Sequence, residues 1–535
     1  MNKLLNITVL FIFSFTVINA QNTFQKYFGL SGDEQVKKVI PTSDNGFVVT
    51  GFTESAGKGG QDIFLSKFTN SGDLEWTKTY GGEALENPVS VVQTSDGGYL
   101  IVGHTRTYTF GENDMYILKT TSDGTMTWNK TYGGTDKELA WDAVELSGQD
   151  YLILGQSQSY SHGLLDVTLT RINSSGNVIW AKAYGGAQND WCYNMRETND
   201  GDFLLAGATF TYGSGRHDMM LMKVDENGTL TFCKVFGDSG EDYAYCSNQD
   251  ALGNYLVVGK TSSVSGNFDN IFVKLDNNLN PVFEKVYGGT GEELANNVLP
   301  TDENGYYVTG WTYSYGAGMR DVYLTNFSST GVLNWLKAYG GEEDDMMPQK
   351  SAYITSFDKI LIAGSTQSNA LLTFRSNDWN GYLIKTDFNG VSGCNEISYT
   401  PTTKNTNFNF TDITTTIGVK SITFQTSSGG EGMSPGFELV NLCYTGLSEL
   451  LQDAISFNIQ NPFSTELSLM FKEAFSGELR IEIYDIMGQL MYQTVIEDNF
   501  AGEKIIPTNN WGLGVYMIRL NFKNFKYSKK LIKYE

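Results

Sequence analysis

The sequence predicts an all-β protein, a seven-bladed β-propeller followed by a smaller β domain. Three observations carry this. A phrase of the form WxKxYGG recurs, as "WTKTYGG" at 76–82, "WNKTYGG" at 128–134 and "WAKAYGG" at 180–186. The aromatic before its glycine falls at Phe28, Tyr80, Tyr132, Tyr184, Phe236, Tyr287 and Tyr339, in steps of 52, 52, 52, 52, 51 and 52 residues. Each unit holds four apolar segments of strand length separated by turn residues, and none has a 3.6-residue period over a helical length.

Residues 1–20 read as a signal peptide: Lys3, an apolar run over 4–17, and Ala20 before the cut at Gln21. That run is too short for a membrane span and no other approaches that length, so the mature chain is expected to be exported without a transmembrane segment.

Residues 21–394 form the expected propeller. Each unit opens on an alternating segment such as "ELAWDAVEL" at 138–146 and continues with an apolar run ending in Gly51, Gly103, Gly155, Gly207, Gly259 or Gly310. A variable loop follows, then an aspartate with an apolar strand and a base, as in "DMYILK" at 114–119. A tight turn leads into a fourth strand carrying Phe24, Trp76, Trp128, Trp180, Phe232, Phe283 or Trp335. Inner strands sandwiched between blades should read as continuous hydrophobics, and "YLIVG" does. The chain opens on an orphan fourth strand, "TFQKYFG", and its last unit lacks one; joining the two completes seven blades and removes the open edge. The aromatics are expected to wedge between blades, and the paired glycines to turn the chain with positive φ.

The net charge of −23 disfavours nucleic acid as a partner. Metal and redox motifs are absent: there is no C-x-x-C, and His104, His162 and His217 lie in separate units. Of five cysteines, Cys394 and Cys443 flank one segment and are the expected disulfide, leaving the pairing of Cys192, Cys233 and Cys246 open.

Two features suggest a site. An acid follows every phrase aromatic by six residues: Glu34, Glu86, Glu138, Asp190, Asp242, Glu293 and Asp345. Around a channel these would repel by roughly 0.5 kcal/mol per neighbouring pair at about 8 Å in water. Ca would relieve that; otherwise each acid accepts hydrogen bonds from its own turn, a scaffold role, and no other cofactor is expected. The second feature is the loops that do not repeat, rich in Tyr, Ser and Gly like binding loops. They offer Tyr108, Phe110, Tyr160, Tyr212, Arg216, Tyr313, Tyr315, Arg375 and Trp379 as ligand contacts. No catalytic residue is identifiable. The expectation is a secreted binding propeller whose loop face recognises a glycan or surface polymer. The runner-up is a polysaccharide-cleaving, endoglucanase-like hydrolase, which needs two carboxylates about 5–10 Å apart.

The hairpins "TSDGTMTW" and "NSSGNVIW" resemble the tryptophan-docking motif of quinoprotein dehydrogenase propellers. That resemblance implies blade packing. A quinone-dependent oxidoreductase is the weaker alternative, because the chain lacks the adjacent cysteine pair on which some such enzymes stack the quinone.

Past a Thr/Asn-rich connecting segment at 395–446, residues 447–535 are nearly charge-balanced, with nine Lys/Arg against eleven Asp/Glu. Asn461-Pro462-Phe463, Tyr484-Asp485, Gly488, Gly514-Val515-Tyr516 and the basic strand from Lys529 resemble the type A C-terminal sorting domain of the Bacteroidetes type IX secretion system. The resemblance implies an immunoglobulin-like β-sandwich, handling by that machinery and its sortase-like peptidase, and release or attachment at the cell surface.

Overall fold

The computed structural model describes residues 23–533 except 31, 264–265, 302–304, 357–358, 369–377, 395, 400, 402, 405, 407, 428–430, 434–437, 442–456, 460–465, 472–477, 486–488, 497–499 and 523–524. The expected signal peptide therefore lies outside the described residues. Every described regular element is a strand.

Each repeat folds into one antiparallel sheet. Sheet 2 is representative, running Glu86–Gln93, Tyr99–Thr105, Asp114–Thr120 and Met126–Gly133 in spatial and sequence order. The second and third strands are buried throughout or nearly so, in keeping with sheets packed on both faces. In the seventh sheet the fourth strand is Phe24–Gly29, which pairs antiparallel with Asn380–Thr386. First strands contact one another in sequence: Glu34–Pro41, Glu86–Gln93, Glu138–Glu145, Asp190–Glu197, Asp242–Gln249, Glu293–Pro300 and Ala352–Ile354, which contacts Glu34–Pro41 in turn.

The recurring phrase locks sheet to sheet. Tyr132, Tyr184 and Tyr339 are buried, and each donates its hydroxyl to a turn-glycine carbonyl of the following repeat, Gly176, Gly228 and Gly390, at 2.7 Å. The tryptophan of the same strand covers that glycine: a Cβ on Gly228, whose φ is +67°, would lie 2.7 Å from both Trp180 and the Tyr184 hydroxyl. The left-handed residue is thus the glycine of the tight turn. Of the phrase glycines only Gly340 takes a positive φ, +158°, which corrects the expectation for the others: at Gly81, Gly133 and Gly185 a side chain would collide with a buried carboxylate. The base closing the third strand reaches back to the preceding turn, as in Lys119–Asp96 at 2.8 Å and Arg171–Asp150 at 2.9 Å.

The segment expected to be a plain connector pairs with every sheet. Glu396–Tyr399, Thr403–Lys404, Asn409–Asp412, Gly418–Ser421, Gln425–Ser427, Glu431–Met433 and Glu438–Asn441 each add an antiparallel fifth strand, passing from sheet 6 back to sheet 1 and then to sheet 7. Between these contacts Phe408, Ile413, Ile417, Ile422 and Phe424 sink into the cores where successive sheets meet. The belt covers outer edges that would otherwise offer unpaired backbone groups, and its own strands are too short and polar to template another chain. Strands of two to four residues carry no alternation to read, which is why composition alone suggested a linker. Cys394, at the belt's start, is disulfide-bonded, while Cys192, Cys233 and Cys246 are buried free thiols. Cys443 lies outside the described residues.

The C-terminal region holds a three-stranded sheet (Phe457–Ile459, Glu466–Phe471, Gly502–Pro507) and a four-stranded sheet (Leu490–Ile496, Leu479–Asp485, Gly514–Phe522, Phe525–Lys533). Leu467, Leu469, Ile481, Ile483, Ile506 and Ile518 from both sheets form one core. Tyr516 donates to Gly512 O at 2.7 Å, Asp485 accepts from Gln489 N at 2.9 Å, Arg519 lies over Tyr484, and Gly514 takes φ +147°. Asn461, Pro462, Phe463 and Gly488 lie outside the described residues.

Candidate functional site

The first strand of each regular sheet carries a β-bulge in the same place. Pairing skips from Val36 to Lys38, from Pro88 to Ser90, from Ala140 to Asp142, from Cys192 to Asn194, from Ala244 to Cys246 and from Ala295 to Asn297. One residue per strand is left without a partner: Lys37, Val89, Trp141, Tyr193, Tyr245 and Asn296. Bulges re-aim side chains, and here they aim them at one another. The glycine ending each second-strand run makes the bulge fit, since a Cβ on Gly207 or Gly259 would strike the carbonyl of Trp191 or Tyr243. In the seventh sheet the irregularity grows into an excursion between Asp345–Met346 and Ala352–Ile354.

Four of them, Lys37, Val89, Trp141 and Asn296, line a cavity of about 300 Å³ together with Asn87, His104, Trp311 and Met346–Gln349. An aromatic wall continues from it: Trp141 meets Tyr193 edge-on at 5.1 Å, and Tyr193 stacks on Tyr245 at 4.9 Å. His217 lies between Trp191 and Tyr243, whose hydroxyl is 2.9 Å from its Nδ1. Among the described residues Trp141 Nε1 and His104 Nδ1 are buried without a hydrogen-bond partner. Burial, then Lys37 and Arg106, pushes the His104 imidazole down to about 4, so it is neutral near pH 7.

Beneath the cavity the excursion crosses to the opposite sheets. Lys350 sits at φ +55°, ion-pairs with Asp142 of sheet 3, and donates to Met195 O of sheet 4 at 2.6 Å. Asp142 also accepts from Ser90 Oγ at 2.8 Å and Met195 N at 3.0 Å.

The residues expected from sequence fall in three places. Tyr160, Tyr212 and Tyr315 donate their hydroxyls to Gly133, Gly185 and Gly288 carbonyls and touch the belt at Phe424, Thr416 and Tyr399. Tyr108 stacks on Tyr116, and its carbonyl accepts from the belt's Ser427. Phe110 is exposed, and Arg216 is exposed beside Glu241. Tyr313 and Trp379 do come together, flanking Arg320, which also lies over the cavity's Trp311 and holds Asp344 at 2.9 Å. Arg375 lies outside the described residues.

The seven repeated acids are fully buried within the sheets. Glu86 accepts from Gly82 N at 2.6 Å and Thr105 Oγ1 at 2.7 Å; Glu138 accepts from Gly134 N at 2.6 Å and Ser157 Oγ at 2.7 Å. Glu34, Asp190, Asp242, Glu293 and Asp345 do the same at their own turns. A second acid stands near six of them, at Asp62, Asp114, Asp166, Asp218, Asp269 and Asp321, and Asn380 takes that place beside Glu34. Burial, then the neighbouring Asp345 carboxylate, pushes Asp321 up to about 7; burial first, with nearby carboxylates, pushes Asp114, Asp242 and Asp345 up to about 6. Folded, these four aspartates keep protons that the unfolded chain releases near 3.8, and together they outweigh His104, which works the opposite way, so stability is expected to fall as pH rises from about 4 to about 7. Below that window Asp200, held down to about 2 by Lys223 and Thr198, works in the opposite sense. Calorimetry should show a higher Tm at pH 5 than at pH 8. Asp321→Asn, which copies the Asn380 junction, should narrow that difference; an unchanged pH profile would contradict the assignment. Among the described residues no group of three or more His, Cys, Asp or Glu is arranged to hold a metal.

Residues 461–534 match the model of the secretion system C-terminal sorting domain. An alignment of 341 positions that covers 58% of this chain is 21% identical to the regulatory protein FlaEY of Caulobacter vibrioides, and it covers 34% of that protein, so the chain spans about a third of its length. No described helix is long and apolar enough to cross a membrane. The sorting domain implies handling by the type IX secretion system, and the chain is a secreted or outer-surface protein.

Proposed function

We propose that the seven repeat sheets form one closed seven-bladed β-propeller, displayed or released at the cell surface, which binds a glycan in the cavity between the bulged residues without cleaving it. The pairing of Phe24–Gly29 with Asn380–Thr386, and the contact of Ala352–Ile354 with Glu34–Pro41, support closure. One observation carries the ligand reading: the cavity is walled by Trp141 and Trp311, while the buried Trp141 Nε1 and His104 Nδ1 have no partner among the described residues. Flat aromatic faces suit the apolar faces of sugar rings, and a few unsatisfied polar atoms suit their hydroxyls. The absence of cleavage is proposed because the repeated carboxylates are committed to turn amides and no carboxylate lines the cavity.

A polysaccharide array run alongside a reducing-end assay tests this reading. Binding without product release is expected. Trp141→Ala should weaken binding at least tenfold, whereas Phe110→Ala, on an exposed loop, should leave it unchanged. Product release, or full affinity in Trp141→Ala, would contradict the proposal.

A further inference from the structure

The repeat region belongs to a chain of net charge −23, yet the only formally charged side chain in the cavity lining is Lys37. Its ammonium lies 5.2 Å from the Phe52 ring centroid, and no described carboxylate is within ion-pair distance of it. Burial lowers its pKa to about 8, with no acid to offset the loss of water. Lys38 is buried next to it in the chain, also without an ion pair among the described residues. Burial, then Arg196, pushes Lys38 well below the usual lysine range, so it adds no cation, and Lys350 below the cavity is matched by Asp142. The abundant acids are elsewhere: Glu34, Glu86 and Glu138 are turned into their sheets, and Asp344 is held by Arg320. Lys37 is therefore the one formal charge lining the cavity of an acidic protein, held against an aromatic ring and facing no described carboxylate, and a partly desolvated ammonium gains when an anion arrives. A ligand carboxylate would form a charge-assisted hydrogen bond there while its ring lies against Trp141 or Trp311.

Resting on the glycan reading above, we propose that the cavity is selective for uronate-bearing glycans, with Lys37 receiving the sugar carboxylate. The sequence presents this lysine at the bulge, where the other regular sheets carry Val89, Trp141, Tyr193, Tyr245 and Asn296.

The test is calorimetric titration of the full chain with oligogalacturonate, oligoglucuronate and oligomannuronate, each as the free acid and as the fully methyl-esterified chain. Esterification removes the charge and keeps the sugar. At least one free acid is expected to bind tenfold or more tighter than its ester, and Lys37→Gln should abolish that preference while the ester's affinity stays the same. Equal binding of acid and ester, or a preference that survives Lys37→Gln, overturns the role of Lys37 and leaves the glycan reading standing. No binding of any chain by folded protein, with neutral glycans also silent on the array, overturns both.

Discussion

Replacing Lys350 by alanine is expected to destabilise the repeat region by about 3–5 kcal/mol, the cost of leaving a buried charge without its partner. Asp142 and Lys350 are both 4% exposed, and they join sheets 208 residues apart in sequence. Removing the ammonium strands a carboxylate whose remaining partners, Ser90 Oγ and Met195 N, cannot neutralise it. The double variant Asp142→Asn/Lys350→Met should cost less than Lys350→Ala, because it buries no unpaired charge. Urea denaturation of the variants checks this. If the single and double variants lose the same stability, the pair does not hold the excursion across the sheets.

Cys394 stands where the belt begins, and its backbone carbonyl accepts a hydrogen bond from Gln25 of the first described strand. The other end of the belt, Glu438–Asn441, pairs with that same strand. Both ends therefore meet on sheet 7 after passing every other sheet, the position from which the expected Cys394–Cys443 bond would clasp the belt shut. Closing a loop of about 50 residues is worth roughly 4 kcal/mol in the chain-entropy model. The variant Cys394→Ser/Cys443→Ser is expected to lose stability of that order. Limited proteolysis should then cut first within 396–441, where the strands are short and largely exposed. Unchanged stability together with an uncut belt would contradict the clasp.

What the sequence displayed and what it concealed follow from periodicity. The all-β class and the four strands of each repeat were legible because the same contact, an aromatic over the next repeat's turn glycine, is made at six of the seven junctions, with Leu279 in the glycine's place at the other. The same repetition drew attention to the acids, which turn out to be bound to their own loops. The loop tyrosines were chosen for composition; Tyr160, Tyr212 and Tyr315 instead serve the outer packing, a role that only the belt explains. The cavity residues were overlooked because Trp141 and its counterparts sit inside a segment that alternates like any half-buried strand. A signal was present. Three residues after each acid the side chain runs Lys37, Val89, Trp141, Tyr193, Tyr245, Asn296, Pro348, with aromatics in three successive repeats. Large rings at one position of neighbouring repeats can stack into a shared wall.

The most direct measurement is a crystal structure of the full chain soaked with whichever uronate oligomer binds most tightly. The account predicts seven sheets closed on one another and a sugar ring against Trp141 or Trp311, its carboxylate on Lys37. An open stack of sheets, or sugar bound only at the belt or the sorting domain while this cavity stays empty, would contradict it.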